Sequence, residues 1–489
     1  MARIPLLGGA YQSRSLIAAA QRCVNLYPEV NPPEGSPPVP VTHYPTPGLR
    51  SVTQSPTVGR VRASYRATNG DLYVVVNAPT QSIVYFVSDQ FIWSSLGTIP
   101  LANAPVIFSD NGLAIIIVDG TATSYAIDML ARTFGTISAT NFYGGSWATY
   151  LDTFFVLNRP DTAQFYISGS NVTYAMLVGG TAFDSLDIAA KTGSADDIVA
   201  VSAIHGELWL IGELTAEIWA NTGAADFTFG RIQGAFCDHG CVAPYSLTQQ
   251  DIYLFWLAQD RQGKAVVVRT EGYGVKRIST HAIEADIQSY ATISDAIGYC
   301  HQIDGHAFYV LSFPDANKTW AYELATGQWH ERASIDGNGK LSRHRGNCFA
   351  YAYGQSLVGD YQNGVLYAYD QNYYLDGSVP IPRIRTFPHL VNDGRRMQYN
   401  QFIADIEVGQ TGGNMTSDPW IISLRWSDNR GASFGNSVTQ SMGSGGQHLV
   451  TPQWQRLGYA RDRVFELSWS APVRTSLNGA WVTAKRCAT

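Results

Sequence analysis

The chain has 489 residues, of which 45% are hydrophobic and 15% are charged, so it is a folded protein with a large core and not a disordered one. This length is too great for one compact core and predicts two or three domains or one large circular array. The net charge of −6 argues against a protein that grips nucleic acid through a basic footprint.

The cysteine count and the hydrophobic pattern point to a reducing compartment. Six cysteines are too sparse for a disulfide scaffold, so we expect free thiols. The first residues lack an apolar core of signal-peptide length, and no stretch reaches the roughly 18 apolar residues of a membrane span. These features predict a protein that is synthesised in the cytoplasm and has no membrane-spanning segment.

The first 50 residues differ from the rest, since residues 31–40 carry five prolines. Proline has no amide donor and favours extended conformations, so we predict an extended N-terminal arm over residues 1–50 that stays out of a sheet interior. Its apolar residues favour packing on the body or on a neighbouring subunit, and a disordered leader is the alternative. The residues expected to make this assembly contact are Leu26, Tyr27, Pro28, Tyr44 and Pro47.

Residues 51–390 repeat one pattern, in which a small polar turn precedes a short aromatic or aliphatic strand. Residues 304–332 show it best, as three short strands separated by turns, like one blade of a propeller. A single blade cannot bury both its faces, so it needs neighbours. The strand starts recur at Leu72, Leu113, Phe154, Leu208, Ile252, Ala307 and Leu366. This spacing predicts an all-β fold with a β-propeller of six or seven blades and loops inserted on one face; a two-sheet sandwich without the repeat is the alternative.

Beyond residue 390 the pattern changes to longer alternating strands, at residues 401–407, 421–426, 465–469 and 480–484. Alternation with a period of two is typical of strands that bury one face. We therefore predict a β-sandwich-like C-terminal domain, or an elaborated last blade, over residues 391–489.

Residues 427–434 are close to the Asp-box pattern Ser-x-Asp-x-Gly-x-Thr-Trp, with Ser427, Asn429, Gly431 and Phe434 at its key positions. In such a turn the amide or acidic side chain caps a tight hairpin, the glycine takes a positive φ, and the last aromatic residue packs on the sheet. Sialidases carry several such boxes, but the box is structural even there. We interpret this single copy as a structural turn.

Three further patterns could carry chemistry, but each has a simpler interpretation. Cys237 and Cys241 lack the second pair of ligands that a zinc site needs. His281 and Glu284 have no nucleophile nearby and fit a short capped helix. Arginine pairs at residues 343–345, 383–385 and 395–396 could contact DNA phosphates, yet solvated or interface arginines explain them as well. The sequence therefore predicts no catalytic residues, no metal site, no cofactor and no enzyme.

Six stretches in order, all structural turns and strand edges, carry a resemblance to one family. They are the arm at residues 23–29 and 46–49, followed by residues 240–246, 278–284, 318–332, 376–389 and 424–434. Their order and content resemble the packaged-DNA stabilisation proteins of short-tailed bacteriophages, the tail hub or nozzle subunits. The Asp-box is degenerate here, and the blades before residue 240 align little.

The resemblance implies a structural protein of the virion tail. In that family, subunits form a hexameric ring below the portal and adaptor proteins, continue the DNA channel and hold the packaged genome until ejection. Tail fibre, spike or needle proteins are the other expected partners, and DNA is expected to pass without sequence-specific binding. The acidic balance fits, because a channel lined by Lys and Arg would bind sliding DNA tightly. The competing class is a glycan-binding or glycan-cleaving, sialidase-like propeller.

Overall fold

The computed structural model describes residues 2–9, 11–31, 41–139, 141–263, 265–410 and 419–487. Nearly all of its regular elements are β-strands. The proline run at residues 32–40, on which part of the arm prediction rests, lies outside the described residues. Among the residues that are described, no helix has both the length and the apolar character needed to cross a membrane.

Five short strands precede the first blade, and each belongs to a sheet that is completed by residues far along the chain. They are β1 (Ala2–Pro5), β2 (Cys23–Val24), β3 (Leu26–Val30), β4 (Val41–Pro45) and β5 (Gly48–Gln54).

The next strands form four blades, each an antiparallel meander of four strands. Blade 1 consists of β6 (Val61–Arg66), β7 (Leu72–Asn77), β8 (Gln81–Val87) and β9 (Trp93–Pro100). Blade 2 consists of β10 (Ile107–Asp110), β11 (Ala114–Val118), β12 (Tyr125–Asp128) and β13 (Phe134–Thr136). Blade 3 consists of β14 (Ala148–Leu151), β15 (Phe154–Asn158), β16 (Gln164–Ile167), the inserted helix α1 (Tyr174–Gly179) and β17 (Ile188–Ala190). Blade 4 consists of β18 (Ile198–Ile204), β19 (Glu207–Gly212), β20 (Ala216–Asn221) and β21 (Phe229–Cys237).

Blades 5 and 6 follow, with a helix between them. In blade 5 a 3-10 helix at Pro244–Ser246 splits the inner strand, giving β22 (Gly240–Cys241), β23 (Thr248–Gln250), β24 (Tyr253–Gln259), β25 (Val266–Glu271) and β26 (Gly274–Arg277). Helix α2 (His281–Gln288) leads to blade 6, which consists of β27 (Ile297–Ile303), β28 (His306–Phe313), β29 (Lys318–Glu323) and β30 (Gln328–Glu331). A small hairpin of β31 (Ala333–Ile335) and β32 (Leu341–Arg343) comes next.

Blade 7 closes the ring with a strand from the start of the chain. Its inner strands are β33 (Gly346–Ala352), β34 (Gln355–Asp360) and β35 (Val365–Asp370), and its outer edge carries β36 (Leu375–Asp376) and β37 (Val379–Pro380). The fourth strand is β5, which pairs antiparallel with β35. Because β5 leads directly into blade 1, the last blade is tied to the first. The predicted all-β propeller is confirmed, and the described residues form seven blades.

The C-terminal domain is a two-sheet sandwich that also includes N-terminal strands. Its own strands are β38 (Arg383–Thr386), β39 (Leu390–Val391), β40 (Met397–Ile406), β41 (Ile421–Ser427), β42 (Val438–Ser441), β43 (Gln453–Ala460), β44 (Asp462–Trp469) and β45 (Leu477–Arg486). One sheet has the order β3-β4-β45-β40-β43, with β1 on β45, and the other contains β38-β44-β41-β42. Phe402 packs between the sheets, 5.1 Å from Phe465 and 5.8 Å from Trp454 between ring centroids. The predicted sandwich is confirmed, and its first strand starts before residue 391.

Two details of the predictions are wrong. The arm does not stay out of sheets, since β3 pairs with β4 and β4 pairs with β45. Pro28 is accommodated because β3 lies at the edge of its sheet, where one side needs no amide donors. The insertions are not on one face, since α1 joins a third strand to a fourth and α2 joins one blade to the next. Such connections lie on opposite faces of a propeller.

Candidate functional site

A polar junction joins the propeller to the sandwich through β2. This strand lies between β30 of blade 6, with Val24 opposite Glu331 in parallel pairing, and β38 of the sandwich, with Cys23 opposite Arg385 in antiparallel pairing. Blade 6 and one sandwich sheet thus form a continuous ten-stranded sheet. We call β2 and the residues packed on it the junction.

Asn25 ties the junction together. It is buried, and its backbone has a positive φ of 53°, which asparagine tolerates better than most residues. Its side-chain Nδ2 donates to the carbonyl oxygens of Ala333 and Pro382, each at 2.7 Å, and its Oδ1 accepts from the Ala333 amide at 3.0 Å. One side chain therefore bonds backbone groups on both sides of β2.

Charged side chains on both sides of β2 add to this connection. Arg22 donates from Nε and Nη2 to the two carboxylate oxygens of Glu331, each at 2.9 Å, and Lys318 donates to the same carboxylate at 2.9 Å. Arg385 is fully buried and donates from Nη2 to the carbonyl oxygens of Gly8 and Gly9, both at 3.1 Å. The N-terminal segment is thus held by charge-assisted hydrogen bonds from both domains.

Four buried histidines surround the junction, and each is held neutral. Burial, reinforced by the cation of Arg332, lowers the pKa of His330 to about 3 and holds the pKa of His301 well below 6.5. Burial likewise lowers the pKa values of His43 and His344. His301 stacks on the ring of Tyr369 at 4.4 Å between centroids. Both ring nitrogens of His43, His301 and His330 lack a hydrogen-bond partner within the described part of the chain.

The arginine clusters divide between the interior and the surface. Arg343, Arg383 and Arg385 are buried in their own chain, so the interpretation of these as solvated or interface arginines is wrong. Burial lowers the pKa of Arg383 to about 10, and its Nη1 donates to the Ala471 carbonyl oxygen at 2.9 Å. The third cluster, Arg395 and Arg396, is exposed. Arg343, Arg383 and Arg385 therefore act within the fold, whereas Arg345 of the first cluster is half-buried and pairs with Asp360 at 3.3 Å.

A cavity of about 780 Å³ lies between the N-terminal segment and blade 6. Its wall includes the rings of Trp320 and Trp329 and the charged groups of the Arg22–Glu331 pair. A second carboxylate, Asp286, accepts from the Trp320 indole at 3.2 Å. These polar groups already bond one another, so the cavity offers no free acid and base in reach of a nucleophile.

The two patterns with chemical alternatives have structural roles. Thr280 caps α2, accepting from the Ile283 amide at 3.4 Å, and Glu284 is bound by Arg277 and by the Ser279 hydroxyl at 2.7 Å, which confirms the capped helix. None of the six cysteines is in a disulfide, and burial raises the pKa of Cys237 to about 11 and that of Cys241 to about 12. Such thiols are protonated, whereas a metal binds the thiolate. The described residues contain no cluster of three or more His, Cys, Asp or Glu side chains placed for a metal.

The Asp-box-like residues form a turn that follows β41. The Ser427 hydroxyl donates to Oδ1 of Asn429 at 2.7 Å, and that Oδ1 also accepts from the Ser433 amide at 2.9 Å. Gly431 has φ of 85° and donates its amide to the Ser427 hydroxyl at 2.9 Å. The Arg425 guanidinium lies 4.9 Å from the centre of the Phe434 ring. All of these contacts hold the turn itself.

Replacing Asn429 by alanine is expected to destabilise the sandwich by about 1 kcal/mol, because the Oδ1 acceptor of this partly exposed turn is lost. Asn429→Asp keeps the acceptor and restores the pattern's own residue, so it should stay near the wild type. Thermal denaturation of both variants measures the difference. Equal losses in the two would show that the side-chain acceptor does not stabilise the turn.

The predicted assembly residues contact their own chain. Leu26 lies in the sandwich core, and Tyr27 packs on Phe308 of blade 6 with 5.5 Å between ring centroids. Pro28 and Pro47 are buried, and Tyr44 is half-buried. The sequence pattern predicted that these residues pack on the body or on a neighbouring subunit, and it missed Asn25, although residues 23–29 were among the stretches that carried the resemblance.

The comparisons with solved structures find several β-propellers of low similarity. The WD40 propeller domain of Doa1 is 9% identical with a TM-score of 0.39, covering 65% of this chain and 96% of its own. A streptogramin B lyase structure is 9% identical with a TM-score of 0.40, covering 70% and 97%. Virginiamycin B lyase from Staphylococcus aureus is 7% identical with a TM-score of 0.40, covering 65% and 98%. These values carry no argument about function. A comparison with curated protein sequences finds no match.

Sequence models of one protein family match both domains in order. The model described as bacteriophage P22 Gp10, beta-propeller, matches residues 2–374, and the model described as bacteriophage P22 Gp10, beta-sandwich, matches residues 383–485. The first match begins in the N-terminal segment that forms the junction, so the segment belongs to the family's architecture. The chain belongs to the bacteriophage P22 Gp10 family and has both its propeller and its sandwich.

Proposed function

We propose that this chain is the tail hub or nozzle subunit of a short-tailed phage. In this proposal several copies, expected to be six, form a ring that extends the channel of the portal and adaptor proteins. The ring retains packaged DNA until ejection and gives attachment to fibre, spike or needle proteins. DNA passes through without sequence-specific contacts, and the chain acts as part of the virion after synthesis in the host cytoplasm.

The observation that carries the proposal is the match of both domain models of a phage structural family over nearly the whole chain. The junction supports it, because a continuous sheet and partly buried ion pairs suit a part that transmits load between two domains. The cavity supports a non-enzymatic role, since its carboxylates are engaged by neighbouring side chains. The family assignment does not favour the glycan-acting alternative.

To test this function, phage particles are produced in infected cells that do not make the chain, and the DNA content of the particles is measured. Particles made without it are expected to package DNA and then lose it, and added purified protein should restore retention. As a control for the glycan-cleaving alternative, the purified protein is incubated with a panel of sialosides and polysaccharides, and none should be cleaved. Particles that keep their DNA and infect without the chain would contradict the proposal.

A further inference from the structure

Charge is distributed very unevenly between the two domains. Residues 48–382, which span the propeller, contain 18 Lys and Arg against 30 Asp and Glu. Residues 383–489, which span the sandwich, contain 12 against 7. An acidic protein therefore carries one basic domain, and the two domains have opposite signs.

The excess positive charge gathers at one end of the sandwich. Residues opposite each other there are Met397 with Ala460 and Arg486, and Gln398 with Tyr459 and Lys485. We define the basic patch as the exposed residues Arg395, Arg396, Arg456, Arg461, Lys485 and Arg486. Neighbouring strands are about 4.8 Å apart, so Arg395, Arg396, Arg461, Lys485 and Arg486 cluster where the three strands end, and Arg456 lies five residues, roughly 16 Å, farther along β43.

The basic patch is not neutralised within its own chain. None of its six cations makes an ion pair with any acid in the described ranges; Asp393, two residues before Arg395, is exposed, and the nearby Asp462 is buried against His389. Tyr459 lies among the cations with 56% of its surface exposed. Six like charges in one small area repel one another, so an anionic partner with some apolar surface would relieve them.

One face of the propeller carries both exposed acidic and exposed apolar side chains. We define the turn face as the turns that join first to second and third to fourth strands within the blades, together with the strand ends next to those turns. Its exposed acids, which form no ion pair with a described residue, are Asp89, Asp152, Asp184, Asp226, Asp251, Glu271 and Asp304. Its exposed apolar side chains are Ile92, Leu113, Leu130, Leu186, Ile252, Tyr273 and Tyr351. Both sets are spread over several blades.

We propose that the basic patch of one copy docks on the turn face of a second copy. This inference rests on the proposed function, in which copies form a ring. The two surfaces differ, so the contact is heterologous, and a contact of this kind builds a closed ring or an open filament and not a two-fold dimer. In a two-fold dimer the same pairing would have to occur twice, with the basic patch of each copy on the turn face of the other, and the opposite charge of the two surfaces allows but does not require this.

A second copy fits the two surfaces better than DNA does. DNA phosphates would neutralise the basic patch, but they offer nothing to the acidic, apolar turn face. Both halves of the proposed contact are present on one chain, with opposite charge and exposed apolar groups on each side. DNA binding by the basic patch is therefore the competing outcome.

The test uses two variants of the full chain. The patch variant carries R395E, R396E, K485E and R486E, and the face variant carries D89K, D226K and E271K. Each alone is expected to associate about 100-fold more weakly than the wild type, because like charges then meet. Mixed together, the two should recover assemblies of alternating copies, since every contact again pairs opposite charges. Arg261→Glu, an exposed change in a turn on the other propeller face, is the matched control and should assemble like the wild type.

Sedimentation of each sample measures association, and circular dichroism checks that the variants are folded. Patch-variant rings like those of the wild type would overturn this inference and leave the proposed ring intact. A wild-type chain that stays monomeric would overturn both. A patch variant that assembles normally but no longer binds a short DNA duplex would assign the basic patch to DNA.

Discussion

Replacing Asn25 by alanine is expected to lower the free energy of unfolding by at least about 4 kcal/mol. The substitution leaves the buried Ala333 amide and the carbonyl oxygens of Ala333 and Pro382 without their partner, and each orphaned group costs about 1–3 kcal/mol. Alanine at a φ of 53° adds about 1 kcal/mol. The loss should fall on the junction, so the sandwich is expected to melt apart from the propeller.

Calorimetry is expected to show one unfolding transition for the wild type and two for Asn25→Ala. Asn25→Gly separates the causes, because glycine accepts the positive φ and loses only the hydrogen bonds. Asn171→Ala is the matched control, since Asn171 has a φ of 48° but is exposed. If Asn25→Ala costs no more than Asn171→Ala, the side-chain bonds of Asn25 do not hold the junction.

Acidification from pH 7 to pH 5 is expected to destabilise the protein by up to about 8 kcal/mol through its four buried histidines. Burial, aided by Arg332, lowers the pKa of His330 to about 3, and the pKa values of His43, His301 and His344 are also lowered by burial. Below pH 6.5 the unfolded chain therefore binds protons that the folded chain does not. Stability is fully present above that pH and falls by about 1.4 kcal/mol per pH unit for each histidine.

One buried acid opposes this trend. Burial raises the pKa of Asp376, so the folded chain takes up that proton more readily than the unfolded chain and gains stability as the pH falls. Burial also raises the pKa values of the partly buried Asp187 and Asp295, and these carboxyls together offset only part of the loss from the four histidines. The midpoint of thermal denaturation, followed from pH 7.5 to pH 5, measures the net effect.

The variant His301→Phe measures how much one buried histidine contributes to the pH dependence of stability. The ring stacks on Tyr369 and both its nitrogens lack partners among the described residues, so phenylalanine should keep the packing and remove the proton site. The variant should match the wild type at pH 7.5 and lose about 1.4 kcal/mol less per pH unit below pH 6.5. His205→Asn, at an exposed turn, is the control. An unchanged slope in His301→Phe would contradict the assignment.

The propeller could be predicted because each blade repeats a short pattern of neighbouring residues. Six of the seven strand starts fall at the second strand of a blade, where a turn residue directly precedes a buried apolar run, as at Leu72. The seventh, Leu366, lies in the third strand of blade 7, because the second strand follows a Tyr353–Gly354 turn that the pattern did not include. The helices α1 and α2 explain the longer steps between blades.

The junction could not be predicted because its partners are distant in sequence. Arg22 and Glu331 are 309 residues apart, and nothing in the period of the strands pairs them. The prolines near β3 argued for an arm outside sheets, yet an edge strand accepts Pro28. The sequence pattern suggested that Arg383 and Arg385 are surface residues, but both are buried in the folded chain, and Arg385 bonds the N-terminal carbonyl oxygens of Gly8 and Gly9.

The native mass and symmetry of the purified chain test the central claim that it is a ring-forming structural subunit. Light scattering combined with negative-stain microscopy measures both in one sample. We expect a closed ring of six copies, with each subunit showing a disc-shaped propeller and an attached sandwich. A monomer, or a two-fold dimer, would contradict it.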